Sequence, residues 1–312
     1  MAYQLSEINE AVRRDPGKFA ADCDADYAKK VNAAARAVSA RRDRSHVILL
    51  SGPSGSGKTT TAMRIEDVLD HSGEETYTIS MDNYFRTVDP ETSPRALNGD
   101  YDFETPFCLD VELLNKHFSM LDRNEAIDIP KYDFNLHARL DGVVSQTLKL
   151  GPDEMAIFEG IHALNDVIVG KNPNAFKLYI AARSNIVDDN GAVVFRHGWM
   201  RLCRRIIRDF KFRGNPAART LQLYANVSRG ERLYITPYKE NADLLFDSSL
   251  ACECSVLKPF VVPLLKEVDL EAYPLVRDIL EGYEQIEEMD SEYLADNSLI
   301  REFIGGSALA YD

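Results

Sequence analysis

Apolar residues in this chain occur as short uninterrupted blocks separated by stretches with helical spacing. The run at 47–50 (Val-Ile-Leu-Leu) has no polar break, as a strand buried on both faces requires. After it, Ala62, Ile65, Val68 and Leu69 recur at helical intervals, which predicts a helix over 60–69. Residues 76–80 are β-rich and follow at the distance a βαβ crossover needs. Further strands are expected at 155–158, 176–181 and 243–246, and helices at 111–121 and 199–212. Short strands at 126–129 and 143–150 suggest a small antiparallel flap around 132–139, and the Pro-, Gly-, Asn- and Asp-rich stretch 91–105 reads as a loop. Strands alternating with helices predict an α/β fold: a doubly wound, mostly parallel five-stranded sheet with helices on both faces. Residues 1–44 are alanine-rich and charged with a turn at Asp15-Pro16-Gly17, so they are expected as an N-terminal helical extension. The main domain is expected at 45–262. Residues 263–312 are expected as a C-terminal helical extension, whose acids from Glu281 to Glu292 form a solvated helix face.

Composition narrows the partners. The 312 residues carry a net charge of −14, which speaks against a general nucleic-acid binder. The longest apolar stretch, 256–265, is too short for a membrane span and is broken by Lys258, Pro259 and Pro263. The first residues include acids and lack the apolar core of a signal peptide. Five cysteines, an odd number without a ligand framework, fit a reduced, cytoplasmic protein. Cys252 and Cys254 have no second Cys/His pair at matching spacing, so they read as small buried residues rather than half of a metal site.

The chemistry starts at Gly52-Pro53-Ser54-Gly55-Ser56-Gly57-Lys58-Thr59-Thr60. This is G-x-x-x-x-G-K-[ST] between a strand and a helix, the phosphate-binding loop of P-loop NTPases. Its glycines allow the backbone to wrap a triphosphate, and its N–H groups and the helix dipole supply positive potential. Lys58 is expected at the β- and γ-phosphates of ATP or GTP and Thr59 on Mg²⁺, with Gly52, Ser54, Gly55, Ser56, Gly57 and Thr60 completing the cradle. Asp82 follows the second strand, at the rim where α/β sheets hold ligands. It could take a proton from an attacking hydroxyl or bind Mg²⁺ through water; a capping aspartate would look the same. Glu159 ends the strand 155–158, the usual second anchor for Mg²⁺ in P-loop proteins. Between 196 and 213 there are seven Lys/Arg and one acid. Arg201, Arg204 or Arg205, and Arg208 share a helical face, so 196–220 reads as a lid over the transferring phosphoryl group. Finally, 130–139 mixes Tyr132, Phe134, His137 and Arg139, a set that can stack on and hydrogen-bond a base or simply pack as a loop. No guanine-reading Asn-Lys-x-Asp is present.

Five ordered motifs resemble the uridine kinase branch of the phosphoribulokinase/uridine kinase family over roughly residues 45–262. They are the P-loop, Asp82-Asn83-Tyr84-Phe85, Tyr132-Asp133-Phe134-Asn135-Leu136-His137-Ala138-Arg139, Phe158-Glu159-Gly160-Ile161 and the arginine run from Arg201 to Gly214. The chain is more similar to bacterial nucleoside kinases carrying D-N-Y-F, E-G-I-H-x-L-N and R-D-x-x-F-R-G than to ordinary uridine kinases. The resemblance implies ATP- or GTP-dependent phosphorylation of a nucleoside 5′-hydroxyl, with uridine or cytidine first, and a homo-oligomer, dimer or tetramer; a P-loop kinase acting on another small alcohol (a sugar phosphate or pantothenate) and a nucleotide-gated regulator that transfers nothing are the alternatives. It implies Asp82 as general base and Asp102 on the ribose hydroxyls. Tyr132 and His137 would hold the pyrimidine, Arg201 would assist at the nucleoside, and Arg204, Arg205 and Arg208 would form the phosphate-binding lid; Arg139, from the same stretch as His137, is a further substrate-binding candidate. The chain departs from the pattern in a longer 101–110 stretch and an insertion at 184–198 containing Asp188-Asp189-Asn190-Gly191.

Overall fold

A computed structural model describes residues 2–96 and 99–311. The chain opens with β1 (Ala2–Gln4), α1 (Leu5–Arg14) and α2 (Pro16–Ser39). Asp15 starts α2 by accepting the Lys18 N–H at 2.9 Å, with Pro16 in the first turn, where its missing N–H costs nothing. Next come β2 (Val47–Ser51), α3 (Lys58–His71), β3 (Thr76–Ser80) and α4 (Val111–Leu121). A hairpin of β4 (Ile127–Asp133) and β5 (Ala138–Leu148) leads to β6 (Met155–Glu159), α5 (Asp166–Val169) and β7 (Phe176–Ala181). Then follow β8 (Asn185–Val187), β9 (Val193–Phe195), α6 (His197–Arg213), α7 (Ala217–Gly230) and β10 (Leu244–Asp247). The chain closes with α8 (Glu253–Lys266), α9 (Pro274–Glu284) and α10 (Arg301–Ile304).

The central sheet has the order β10-β7-β2-β6-β3, and every pairing in it is parallel. The chain first winds from β2 to one side (β3, β6) and then returns to the other (β7, β10). The sheet is therefore the five-stranded α/β arrangement expected, with no antiparallel member. β2 and β6 are buried along their whole length, which is why both read as unbroken apolar runs. One buried cluster on one side of the sheet draws on α1, α2, α3, α6, α8 and α9; a second unites α4, the hairpin and the opposite sheet face. Tyr27 of α2 lies edge-on to Phe246 with centroids 5.7 Å apart and bonds Thr61 at 2.7 Å. Each fully buried apolar side chain of this size contributes about 1.5–3 kcal/mol.

Several local expectations change. The hairpin strands are longer than 126–129 and 143–150, so Tyr132 and Arg139 are directly paired strand residues and not loop residues. The insertion at 184–198 forms β8 and β9, and β8 pairs in parallel with β1, a strand of three residues that the helical reading of 1–44 missed. Pro259 and Pro263, which interrupt the apolar stretch, both sit inside α8, which runs across residue 262. Pro259 lacks the N–H that would bond the Ser255 carbonyl, and that carbonyl accepts the Met289 N–H at 3.1 Å instead. The acids from Glu281 to Glu292 do not share a helix: α9 ends at Glu284, and Glu287 lies beyond it, 2.7 Å from Arg13. The loop expected at 91–105 includes residues 97 and 98, which lie outside the described residues. No helix among the described residues is long and apolar enough to cross a membrane.

Candidate active site

The phosphate loop leaves the C-terminal end of β2, the middle strand. Gly52 is obligatory by contact, because a Cβ there would lie 2.0 Å from the Ile180 carbonyl oxygen. Gly55 and Gly57 have φ of +73° and +81°, which a side chain would strain. Lys58 opens α3. The first intrahelical bond runs from the Thr61 N–H to the Gly57 carbonyl at 3.0 Å, so the N–H groups before it point out of the helix end. Neighbours lock the loop's shape: Ser248 Oγ donates to the Ser56 carbonyl at 2.6 Å, and Arg205 bonds the Ser54 hydroxyl.

Register brings the acids to the same edge. Glu159 pairs with Leu50 of β2 on one side and Ser80 of β3 on the other, and Asp82 follows Ser80 by two residues. Thr59 Oγ1 lies 3.3 Å from Glu159 Oε1. Burial pushes the Glu159 carboxyl up to about 7, against the pull of Lys58, while Asp82 and Glu302 add to the rise. Burial pushes the Lys58 ammonium down, and Glu159 and Asp82 pull it back up. Asp82 keeps contact with solvent, yet the surrounding protein lifts its carboxyl above the ordinary range, opposed by Lys58, Arg213 and Arg208. A hydroxyl and two carboxylates facing an ammonium form a hard-oxygen donor set suited to Mg²⁺. The upward shift of Glu159 is of the kind a divalent cation would reverse.

The arginine helix divides its residues between two jobs. Arg205 reaches Ser54 in the loop. Arg208 is half-buried, and burial beside Arg213 and Arg205 drives its guanidinium down to about 10, so it lacks a full complement of negative charge. Arg204 does not join them. It has no exposed surface and is paired with Glu253, with further bonds to the Gly55 carbonyl at 3.0 Å and the Ser248 carbonyl at 3.3 Å. The expected phosphate contact is therefore replaced by scaffolding of the loop, because position 204 faces α8 rather than the cleft. The lid expected at 196–220 is also anchored: Leu202, Cys203, Ile206 and Ile207 of α6 are packed in the core.

On the acceptor side, a cavity of about 740 Å³ is lined by Arg86, Asp89, Tyr101, Asp102, Phe103 and Arg139, among others. Asp102 is buried and bonded to Arg229. The guanidinium of Arg139 is taken up by Asp110 at 3.1 Å and by the Tyr84 and Phe85 carbonyls at 3.3 Å, so it braces the hairpin rather than presenting free donors to a base. His137 stands at the hairpin turn with φ +50° and stacks on Phe103, centroids 5.3 Å apart. Tyr132 is buried between Phe85 and Phe134. Neither Tyr132 nor His137 is on the cavity wall. Arg201 is held by Glu231 at 2.6 and 2.8 Å and touches the Ser54 carbonyl, which places it at the phosphate loop.

Three participants carry no sequence signal of their own. Arg229 and Glu231 hold Asp102 and Arg201. Glu302 comes from the C-terminal segment: its carboxylate bonds the Thr60 hydroxyl and lies 3.4 Å from the Thr60 N–H, with Tyr311 Oη 3.1 Å from the same hydroxyl. Leu299 covers Gly57. No motif marks these positions; only the excess of acids late in the chain hints at them.

The model of the "Phosphoribulokinase / Uridine kinase family" matches residues 47–253. A uridine kinase of Borrelia duttonii is 32% identical over 229 residues, covering 69% of this chain and 95% of that protein. A uridine kinase of Anoxybacillus flavithermus is 30% identical over 205 residues, covering 65% and 86% respectively. Among solved structures, a chain from a Silicibacter species, described provisionally as a fructose transport system kinase, superposes with a TM-score of 0.50 at 17% identity. That match covers 69% of this chain and 98% of the other, a likeness of fold.

Proposed function

Because this chain belongs to the phosphoribulokinase/uridine kinase family, a family of P-loop kinases, we propose that it transfers the terminal phosphoryl group of ATP or GTP to the 5′-hydroxyl of uridine or cytidine. The reading is carried by one observation: Lys58, Thr59, Glu159 and Asp82 converge at one edge of the parallel sheet. Lys58 and the loop amides neutralise the β- and γ-phosphates. Arg205 and Arg208 add positive charge from α6. Mg²⁺, held by Thr59 and Glu159 with Asp82 nearby, would supply further charge neutralisation when bound. Asp82 accepts the proton of the acceptor hydroxyl as its oxygen bonds phosphorus, while the bond from phosphorus to the nucleoside diphosphate breaks. Such transfer needs positioning and charge more than covalent chemistry. Asp102 is assigned to the sugar hydroxyls, and His137 and Tyr132 to the base, which requires the hairpin tip to turn toward the cavity.

A different small alcohol, such as a sugar phosphate, is the second reading. It is favoured by the cavity wall, where Arg86, Thr92 and Ser93 are present and Tyr132 is not. Incubation with Mg-ATP and a mixture of nucleosides and sugar phosphates, followed by mass identification, decides between them. Gain of one phosphate by uridine or cytidine supports the first reading. Phosphate found only on a sugar phosphate replaces it with the second.

A further inference from the structure

Asp102 and the phosphate loop stand on separate elements, yet three consecutive residues touch both walls. Arg229, Gly230 and Glu231 lie where α7 ends and widens into a π-turn, Glu231–Ile235, a distortion that recurs at functional sites. Arg229 Nη2 is 2.5 Å from Asp102 Oδ2, and Asp102 Oδ1 accepts the Glu104 N–H at 3.1 Å. Both carboxylate oxygens are therefore aimed. At Gly230 a Cβ would fall 2.3 Å from Glu104 Cβ, so the helix end sits directly against the 102–104 segment. Glu231 reaches the opposite wall. It grips Arg201 through two bonds of 2.8 and 2.6 Å, and Arg201 Nε and Nη2 lie 3.4 and 3.3 Å from the Ser54 carbonyl. Residues two apart on a helical turn point in different directions, which lets one short segment brace two walls.

We propose that Arg229-Gly230-Glu231 is a positioning strut that sets the acceptor-holding Asp102 in register with the phosphate loop. The inference rests on the acceptor reading above. In-line transfer tolerates little misplacement of the acceptor oxygen. Arg229 acts by orienting Asp102, and Glu231 acts by orienting Arg201 against the loop. Gly230 permits the close approach that keeps the two in step.

The test uses Arg229→Ala, Arg229→Lys and Glu231→Gln in the full chain, assayed with uridine and Mg-ATP. Arg229→Ala is expected to raise the uridine KM at least about tenfold while the ATP KM stays within about twofold; Lys recovers part of the loss, because it keeps the charge without the planar fork. Glu231→Gln is expected to lower kcat about tenfold with a smaller change in uridine KM. Without substrate, hydrogen exchange should rise over 99–105 in Arg229→Ala and over 52–57 in Glu231→Gln. The strut is refuted if both variants keep kcat and both KM values within about twofold, or if activity falls only in proportion to the unfolded fraction seen by circular dichroism. If the wild-type chain phosphorylates no nucleoside, the acceptor reading fails instead. The exchange pattern then decides the strut, which falls if neither segment responds.

Discussion

The phosphate loop takes its path from main-chain geometry and is backed by side chains from α6, Ser248 and α8's start, whereas the wall around Asp102 depends on side-chain pairs for its assembly. The loop's path follows from three glycines, a strand end and a helix start that are neighbours in sequence. Its outer contacts are donated to carbonyls by Ser248, Arg201 and Arg204 and to the Ser54 hydroxyl by Arg205. The acceptor wall is assembled from the 99–110 stretch, the hairpin and the end of α7, joined by Arg229 with Asp102, Arg139 with Asp110 and Phe103 with His137. The path of the donor end is thus set locally, by backbone geometry. The acceptor end is held by side-chain pairs drawn from separate elements.

The sharpest way to break this contrast is at the donor end. Asp82→Asn should lower kcat by about 10²–10⁴-fold while nucleotide affinity, measured by titration calorimetry, stays near wild type. A near-normal kcat would remove Asp82 from proton transfer. Lys58→Ala should cost about 10²–10³-fold in kcat and weaken nucleotide binding in the same titration; unchanged values would dissociate the loop from the chemistry.

A second test asks whether the loop's backing is as rigid as its geometry implies. Arg204 and Glu253 are both fully buried. Replacing Arg204 by Met leaves Glu253 without its partner, and urea unfolding should report a loss of about 3–5 kcal/mol. A loss below 1 kcal/mol, by the same principle, would mean that the pair does not secure the loop.

The metal side of the site makes a smaller, pH-dependent claim. Folded Glu159 holds its proton up to about 7, whereas an unfolded chain releases it near 4.5. Between these values the folded form binds more protons. Stability from this group is therefore complete below 4.5 and disappears as pH rises through 7, at about 1.4 kcal/mol per pKa unit. Thermal unfolding of metal-free protein across that window should slope downward with pH, and Glu159→Gln should flatten the slope. Saturating Mg²⁺ should flatten it as well, by favouring the ionised carboxylate. An unchanged slope in Glu159→Gln would assign the effect elsewhere. The smallest effect is expected from Glu302→Ala. Freeing the Thr60 amide and hydroxyl should tighten nucleotide binding by about threefold to tenfold, in line with one charge-assisted hydrogen bond. Weaker binding would make Glu302 a contributor to nucleotide binding rather than a competitor.

The same contrast explains what could be read in the chain. β2, the loop and α3 announce themselves because strand, turn and helix are contiguous, and Asp82 and Glu159 are legible because each directly follows or closes a strand. The pairings that finish the site are not. Asp102 and Arg229 are 127 residues apart and Thr60 and Glu302 are 242 apart; periodicity shows which face of a helix is buried but not which element meets it. Arg204 was misplaced for this reason: its face is apparent from spacing, but Glu253 beneath it is not. β1 is too short to show alternation, and it is a strand only because β8 offers it a partner.

The pyrrolidine of Pro259 has reach beyond its own helix. By withholding one donor it leaves the Ser255 oxygen without a helical partner, and the Met289 N–H takes it up, joining the chain past α9 to α8. Restoring an amide at 259 would give that oxygen a rival suitor inside α8. A missing hydrogen in α8 thereby lends one anchor to the tail whose Leu299 and Glu302 rest on the cradle.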